Sequence, residues 1–258
     1  MKTLSHVIIK HRYRILAIIF WVVAWQLISM QIHNSIFLAS PGEVLKSFSH
    51  LIQSGMFWKT IANSFFKISG GFLLAVFIGV ILAITTYRFQ VMKEITVVFM
   101  QTIKSIPVAS FVILALLWVK AVNLSILISF LMVLPIMYTN VLKGIESTSS
   151  KLLDMAKVFK MSPIKKTRYI YLPAVTPYFV SACSVGLGFC WKSGIAAEVI
   201  SLANNSIGER LYEAKLYLNT EELFAWTIVI VIISAVFEKI MMRLIYVGSR
   251  KITRIKEK

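Results

Sequence analysis

Few residues of this chain have the type and spacing that catalysis requires. Asp154 is its one aspartate, and the sequence has no nucleophile elbow, no H-E-x-x-H zinc motif and no glycine-rich phosphate loop. These absences argue against an enzyme and against a nucleotide site on this polypeptide. The charged residue in the least expected setting is Lys192, because it lies within an apolar run, where a charge is costly and usually serves function. A cation there could attract an anionic solute on its way across the membrane, and Trp191 could form a wall of such a translocation path.

Two other interpretations of Lys192 stay open on the sequence alone. Its long side chain could extend to the end of its helix and place the ammonium in water. Alternatively, the ammonium could pair with Glu198 of the partner subunit or with a polar group on another helix. Lys67, near the edge of another apolar run, is interpreted as an interfacial anchor.

The composition places these residues in a membrane protein. Of the 258 residues, 58% are hydrophobic, and the mean hydropathy of +0.78 is too high for a domain with a polar surface. The formal charge of +17 does not indicate nucleic-acid binding, since the charges lie between apolar runs instead of on one basic face. Metal binding is not predicted either, because His33 and His50 lack ligand-spaced companions.

Six stretches are long and apolar enough, or nearly so, to cross a bilayer, which takes about 20 residues of helix. We therefore predict an all-α integral membrane protein, a six-span helical bundle in a single domain over residues 1–258. Gln101, Lys104 and Pro107 interrupt the third stretch, which is expected to enter the membrane as a bent helix. The predicted spans cover residues 14–32, 64–86, 95–118, 122–142, 174–197 and 223–246.

The distribution of positive charge predicts the orientation of these spans. About three quarters of the 28 lysines and arginines lie before the first span, after the second and fourth, and at the end of the sixth. More than half of the 11 acidic residues lie on the opposite side. Both termini and the loop over residues 143–173 are therefore predicted to be cytoplasmic, in a multi-pass protein of the inner membrane.

Small residues recur at every fourth position of two predicted spans, which lets another helix backbone approach closely. A closely packed fifth span suits the lining of a translocation path, whose candidate residues are Gly188, Trp191, Lys192 and Glu198. On the second span, this ladder of residues consists of Gly71, Ala75, Gly79 and Ala83. The fifth span has two such ladders, the first with Ala182, Gly186, Cys190 and Gly194, and the second with Ser184, Gly188 and then Lys192.

The predicted cytoplasmic loop begins with a short amphipathic helix. Its first residue is predicted to be Lys151, with Ser150 as the cap and Asp154 in the first turn, where a negative charge meets the positive end of the helix dipole. Pro163 predicts a bend followed by a second short helix that Ser162 caps. The apolar stripe of the first helix consists of Leu152, Met155, Ala156 and Phe159.

The spacing in this loop resembles the cytoplasmic loop of binding-protein-dependent ABC importer permeases. That family's motif runs Glu-Ala-Ala, three residues, Gly, nine residues, Ile-x-Leu-Pro, and its spacing is matched throughout. Asp replaces Glu, Met replaces the first Ala, and Lys160 replaces Gly, so a differently shaped turn is expected after the helix. The residues aligned with the motif are Asp154, Met155, Ala156, Lys160, Ile170, Leu172 and Pro173. Together with Leu152 and Phe159, they are the candidate ATPase-coupling residues.

Flanking stretches are similar to the nitrate, sulfonate and taurine branch of this family, so that the resemblance covers nearly the whole chain. It implies a type I importer fold in which two copies form the pathway and an external solute-binding protein delivers a small solute. It also implies a cytosolic ATP-binding cassette subunit, which binds the ATP and docks on a knob around Asp154 and Phe159. The similar stretches are Ser40-Pro41-Gly42-Glu43-Val44, Asn63-Ser64, Trp191-Lys192 and Ala197-Glu198.

An ion-coupled secondary transporter or channel is the main alternative. Such proteins commonly have internal repeats and acidic residues near the middle of their spans, and neither feature is recognisable in this sequence. A membrane scaffold without transport is a third interpretation, which would leave Lys192 and the glycine ladders unexplained.

Overall fold

A computed structural model describes residues 2–253 of the chain, and all regular structure in that range is helical. The predicted all-α class is confirmed. A π-helical turn, Thr167–Tyr171, joins α8 to α9. The helices are α1 (Lys2–Ile32), α2 (Pro41–Ile52), α3 (Gly55–Arg88), α4 (Gln90–Ser105), α5 (Val108–Ala115), α6 (Ala121–Glu146), α7 (Ser150–Val158), α8 (Pro163–Lys166), α9 (Leu172–Ser201), α10 (Ile207–Leu216) and α11 (Thr220–Thr253).

The described helices confirm an integral membrane protein. Helices α4 and α5 together would form one span, bent by 104° between them. The bend coincides with Pro107, whose ring disfavours a helical conformation at Ile106, where ψ is 126°. Helix α11 contains the sixth predicted stretch. With four unbroken segments and one bent pair in the described range, the number of six spans stays a prediction. In the described range, the segments long and apolar enough to cross a membrane unbroken are Ile15–Ile32, Gly55–Arg88, Ala121–Glu146 and Pro163–Ser201.

The chain divides into two compact units. The first consists of the residues up to Lys59 together with Arg210–Ile230. The second consists of Thr60–Glu209 together with the chain from Val231 onward. The loop motif, the glycine ladders and Lys192 therefore all lie in the second unit.

The first unit contains helix α2, which begins with a capping box. The Glu43 N–H donates to Ser40 Oγ at 3.3 Å, and the Glu43 carboxylate accepts from the Ser40 N–H at 2.7 Å. The Ser40 N–H and hydroxyl hold the pKa of Glu43 below its ordinary value, because both stabilise the carboxylate. Trp25 Nε1–H donates to the carbonyl of Ala39 at 3.0 Å, beside the buried side chain of Val44. The Ser-Pro-Gly-Glu-Val stretch is thus a helix start docked on α1.

Small residues hold helices of the second unit together at close range. Helix α9 packs along α6. A Cβ atom added to Gly194 would lie 2.6 Å from Ser129 Oγ and 2.7 Å from Cγ1 of Ile68. The Ser129 hydroxyl donates to the carbonyl oxygen of Cys190 at 3.0 Å, a contact that this spacing permits. The ladder that contains Cys190 and Gly194 is therefore a packing surface.

We expect Gly194→Ala to destabilise the protein although alanine is the better helix former. The methyl group would overlap Ser129 and Ile68, and such overpacking costs about 1–3 kcal/mol, against a gain of at most about 1 kcal/mol from replacing a helical glycine. Gly188→Ala is the matched control, since nothing lies within 4 Å of its added Cβ atom. Thermal unfolding of the purified protein in detergent should show a lower midpoint for Gly194→Ala alone. Equal midpoints for the two variants would contradict the packing argument.

Candidate functional site

The loop between α6 and α9 begins with α7, whose start differs from the prediction. The helix begins at Ser150, and Ser149 occupies the cap position without a side-chain capping hydrogen bond. The predicted cap at Ser150 is therefore wrong, and Asp154 lies beyond the first turn. The Asp154 carboxylate instead accepts from Lys157 Nζ at 3.0 Å. Both side chains are exposed, so this ion pair contributes little stability.

The apolar stripe of α7 lies in two different environments. Ala156 is only 3% exposed, because the face of α7 that carries it packs against other residues of the same chain. Leu152, Met155 and Phe159 are exposed, Phe159 to 73%. The part of the predicted stripe that a partner could reach therefore consists of these three side chains, called the α7 apolar surface below.

Helix α7 ends in a turn of the kind that favours glycine. Lys160 has a φ of 47°, in the left-handed region, and its N–H donates to the carbonyl of Lys157 at 3.0 Å. The Met161 N–H donates to the carbonyl of Ala156 at 2.9 Å, which completes a Schellman arrangement. Lys160 thus adopts the left-handed backbone conformation that glycine adopts most easily. The turn keeps this conformation although lysine stands where the family motif has glycine.

The second half of the motif leads directly into α9. Helix α8 begins at Pro163, and Ser162 is at the cap position as predicted, although its side chain forms no capping hydrogen bond. The predicted second short helix is thus present as α8, but it does not end in a loop, because the chain continues through the π-helical turn into α9 without a break. The motif residues here are Ile170, which is buried, Leu172, which is exposed, and Pro173, which lies in the first turn of α9.

The four candidate path residues lie on two different faces of α9. Lys192 is exposed, and Gly188 is half-buried with open space beside it. Trp191 is 2% exposed and packs against the Phe65 ring, with 6.1 Å between ring centroids, while Glu198 is fully buried. The Glu198 carboxylate is enclosed by its own chain, which argues against its pairing with Lys192 of another copy. Lys192 and Gly188 belong to the accessible face.

Glu198 binds the start of α10 to α3. Its Oε2 atom accepts hydrogen bonds from Ser64 Oγ at 2.8 Å and from the Gly208 N–H at 3.3 Å. The Ile207 N–H donates to Ser64 Oγ at 2.9 Å. A carboxylate and a hydroxyl thus satisfy the first two N–H groups of α10, and the negative charge lies at the favourable end of that helix. A Cβ atom at Gly208 would overlap Cβ of Glu198, so this approach requires glycine.

Lys67 is not the interfacial anchor that the sequence suggests. Its Nζ atom is inaccessible to solvent and has no hydrogen-bond partner among residues 2–253. The Glu198 carboxylate attracts this ammonium electrostatically, and Glu198 Oε1 is likewise buried without a hydrogen bond in the described range. The two opposite charges partly compensate each other inside the second unit. Sequence reasoning missed this pair because its members lie on distant helices, and the only available signal was a charge within each of two apolar runs.

The carboxylates of this region form hydrogen bonds within the chain. Glu198 is held by Ser64 and Gly208, and Asp154 is held by Lys157. Within the part of the chain that the structure describes, no group of three or more His, Cys, Asp or Glu side chains could hold a metal ion. The site therefore consists of two surfaces, the α7 apolar surface and the accessible face of α9, with Glu198 bracing the latter helix.

Comparison with known proteins identifies the class to which these features belong. Residues 75–254 match the family described as binding-protein-dependent transport system inner membrane component, and the chain belongs to this family. It is the permease subunit of an ABC importer and a multi-pass membrane protein. The resemblance carried by the loop spacing is thereby confirmed, and the secondary-transporter alternative is not favoured.

Several relatives are transport permeases of similar length. The putative aliphatic sulfonates transport permease protein SsuC of Bacillus subtilis (strain 168) is 24% identical over 216 residues, which are 82% of this chain and 77% of that protein. The taurine transport system permease protein TauC of Escherichia coli (strain K12) is 23% identical over 222 residues, 84% of this chain and 80% of that protein. The bicarbonate transport system permease protein CmpB of Synechococcus elongatus is 25% identical over 164 residues, 63% and 59% of the two chains.

We expect Ser64→Ala to destabilise the protein by about 1–3 kcal/mol, because it leaves both the Glu198 carboxylate and the Ile207 N–H without this partner in a buried place. Ser193→Ala is the matched control: Ser193 is also buried, but its hydroxyl donates only to carbonyls of its own helix. Thermal unfolding in detergent should separate the two variants. A Ser64→Ala midpoint equal to that of Ser193→Ala would show that the carboxylate does not depend on this bond.

Proposed function

We propose that a cytosolic ATP-binding cassette subunit drives this permease by docking on the α7 apolar surface. The observation that carries the proposal is the exposure of Leu152, Met155 and Phe159 on a helix between two membrane spans. Large apolar side chains clustered on a solvent-exposed loop are typical of a surface that another protein covers. The ATP binds to that partner, since this sequence has no phosphate-binding loop.

The other coupling residues connect this surface to the membrane part. Ala156 holds α7 on its own chain, and Lys160 forms the turn that ends the helix. Ile170 and Pro173 lie where α8 passes into α9 through continuous helical backbone. A displacement of α7 by the ATPase would therefore reach α9, which supports a lever between two states of the permease.

The proposed assembly has two copies of the chain in the inner membrane. The loop and both termini face the cytoplasm, in line with the excess of lysine and arginine on that side. The accessible face of α9, with Gly188 and Lys192, lies along the pathway between the copies. A solute-binding protein on the opposite side of the membrane delivers the solute, and lipid surrounds the spans.

The solute class that the chain supports best is a small molecule with an anionic group. Lys192 is the exposed charge on α9, whose other charged residue, Glu198, is buried. The relatives are named for aliphatic sulfonates, taurine and bicarbonate, which all carry a negatively charged group. An ammonium on the pathway would favour such solutes over neutral ones.

Met155→Arg should abolish docking of the ATPase without affecting the permease itself. Met155 is 46% exposed, so the unbound chain tolerates the larger charged side chain, whereas an apolar groove on a partner would have to bury an unpaired charge at a cost of several kcal/mol. We expect the variant to insert normally, to lose co-purification with its ATPase and to lose ATP-dependent uptake in proteoliposomes.

Ser150→Arg is the matched control for this prediction. Ser150 is an exposed residue of the same helix, away from the α7 apolar surface, and it receives the same side chain. Co-purification and uptake should persist in this variant. Retention of both by Met155→Arg would contradict the docking proposal.

Lys192→Met should lower the uptake of anionic solutes more than that of neutral ones, because it removes the exposed charge on α9 but keeps a long side chain. Lys192→Arg, which keeps the charge, should retain most uptake of anions. The measurement is initial uptake by proteoliposomes containing the complete transporter, with ATPase binding checked in parallel. Unchanged anion uptake by Lys192→Met would return Lys192 to a role at the membrane interface.

A further inference from the structure

A groove of about 430 Å³ opens in the second unit at the end of the membrane part that adjoins the loop. It lies between α3, α6 and the start of α9, and its volume is that of a pocket for a small organic ligand. None of the residues discussed above as ATPase-coupling or path residues lines it except Leu172. Its lining consists of Val80, Ile84, Tyr87, Arg88, Val141, Ile145, Thr167, Tyr171, Leu172 and Val175.

The groove is apolar along its floor and polar at one end. Val80 and Ile84 precede Tyr87 and Arg88 along α3, so the lining changes from aliphatic to polar over eight residues, about 12 Å of helix. The polar end coincides with the end of α3 at Arg88. A floor of this length covers most of one leaflet, which is about 15 Å of a hydrocarbon core of about 30 Å. The shape is therefore that of an amphiphile lying along the helices.

The polar end carries uncompensated positive charge. Arg88 is exposed and forms no ion pair within the described residues. Lys166 Nζ lies 5.6 Å from the centroid of the Tyr171 ring, which lines the groove. The nearby carboxylate of Glu146 is bound by Lys93 at 2.7 Å. Among residues 2–253 neither Arg88 nor Lys166 forms an ion pair, so both can attract an anionic group to this end of the groove.

We propose that this groove binds one anionic phospholipid, with an acyl chain on the aliphatic floor and the phosphate between Arg88 and Lys166. Basic pockets between membrane helices are suited to anionic headgroups, and the floor favours a lipid over a small solute because a solute would leave the aliphatic lining unfilled. The site does not depend on the proposed ATPase docking. It is independent of Lys192, which lies on the accessible face farther along α9.

The bound lipid would contact three elements at the end of the membrane part that adjoins the loop. Its headgroup would lie against Thr167 and Tyr171 of the π-helical turn, and its chain would contact α3 and α6. Because that turn joins α8 to α9, the lipid stabilises one arrangement of the loop. Anionic lipid content of the bilayer would then influence how readily the loop changes position.

Native mass spectrometry of the full chain, purified in detergent and titrated with phosphatidylglycerol or phosphatidylcholine, tests the proposal. We expect one tightly retained phosphatidylglycerol per chain and weaker retention of phosphatidylcholine. Arg88→Ala with Lys166→Ala should weaken phosphatidylglycerol binding about tenfold or more, since each cation near an anionic headgroup contributes about a factor of five to ten. Ile84→Trp should weaken binding of both lipids, because the indole would occupy the floor without changing the charge.

Lys143→Ala is the matched control, since Lys143 is an exposed cation of α6 outside the lining, whereas Arg88 lines the groove and Lys166 lies over the ring of the lining residue Tyr171. Its lipid binding should equal that of the wild type, and circular dichroism confirms that all variants are folded. Equal retention of the two lipids, equal losses in Lys143→Ala and the double variant, or no effect of Ile84→Trp would overturn the proposal. Full displacement of the lipid by glycerol phosphate would assign the site to a soluble anion and would overturn it as well.

Discussion

The close approach of neighbouring helices at two glycines is the constraint on which the packing of the second unit depends. A Cβ atom at Gly71 would lie 2.5 Å from the carbonyl oxygen of Ile126, and one at Gly194 would lie 2.6 Å from Ser129 Oγ. In a bilayer, water cannot drive helices together by the hydrophobic effect, so close packing and hydrogen bonds between helices must do so. Because the contact at Gly194 leaves no room for a Cβ atom, this face of α9 packs against Ser129 of α6 and Ile68 of α3, and the residues on the opposite face of α9 stay accessible.

Helix α9 has different surroundings at its two ends. At the end near Glu198, hydrogen bonds to Ser64 and Gly208 connect α9 to α3 and to the start of α10. At the other end, the π-helical turn connects α9 to the loop and forms one wall of the basic groove. The middle carries Lys192 on its accessible face. The same helix thus has one end held by hydrogen bonds, an exposed charge and a connection to the loop.

The α7 apolar surface and the groove near Arg88 are both apolar surfaces that this chain leaves uncovered. They differ in charge and in setting, and these differences indicate different occupants. The α7 apolar surface lies on a loop helix and presents the exposed Met155 and Phe159 side chains, which suits a protein groove. The Arg88 groove is concave, lies between helices α3, α6 and α9, and has Arg88 and the nearby Lys166 at one end, which suits an anionic lipid. Both surfaces adjoin the segment formed by α7, α8 and the π-helical turn, so the proposed lipid and the proposed ATPase would act on the same part of the loop.

The sequence by itself determined the class of this protein and the position of its loop. Apolar runs can only be helices in a bilayer, since every backbone polar group must be satisfied internally, and motif spacing from Asp154 to Pro173 identified the family. Only the tertiary structure decided that Ala156 faces its own chain, that Glu198 accepts a hydrogen bond from Ser64, and that Lys160 keeps a left-handed turn. Periodicity records which residues share a helix face. It does not record what that face packs against, because that depends on contacts between helices distant in the sequence.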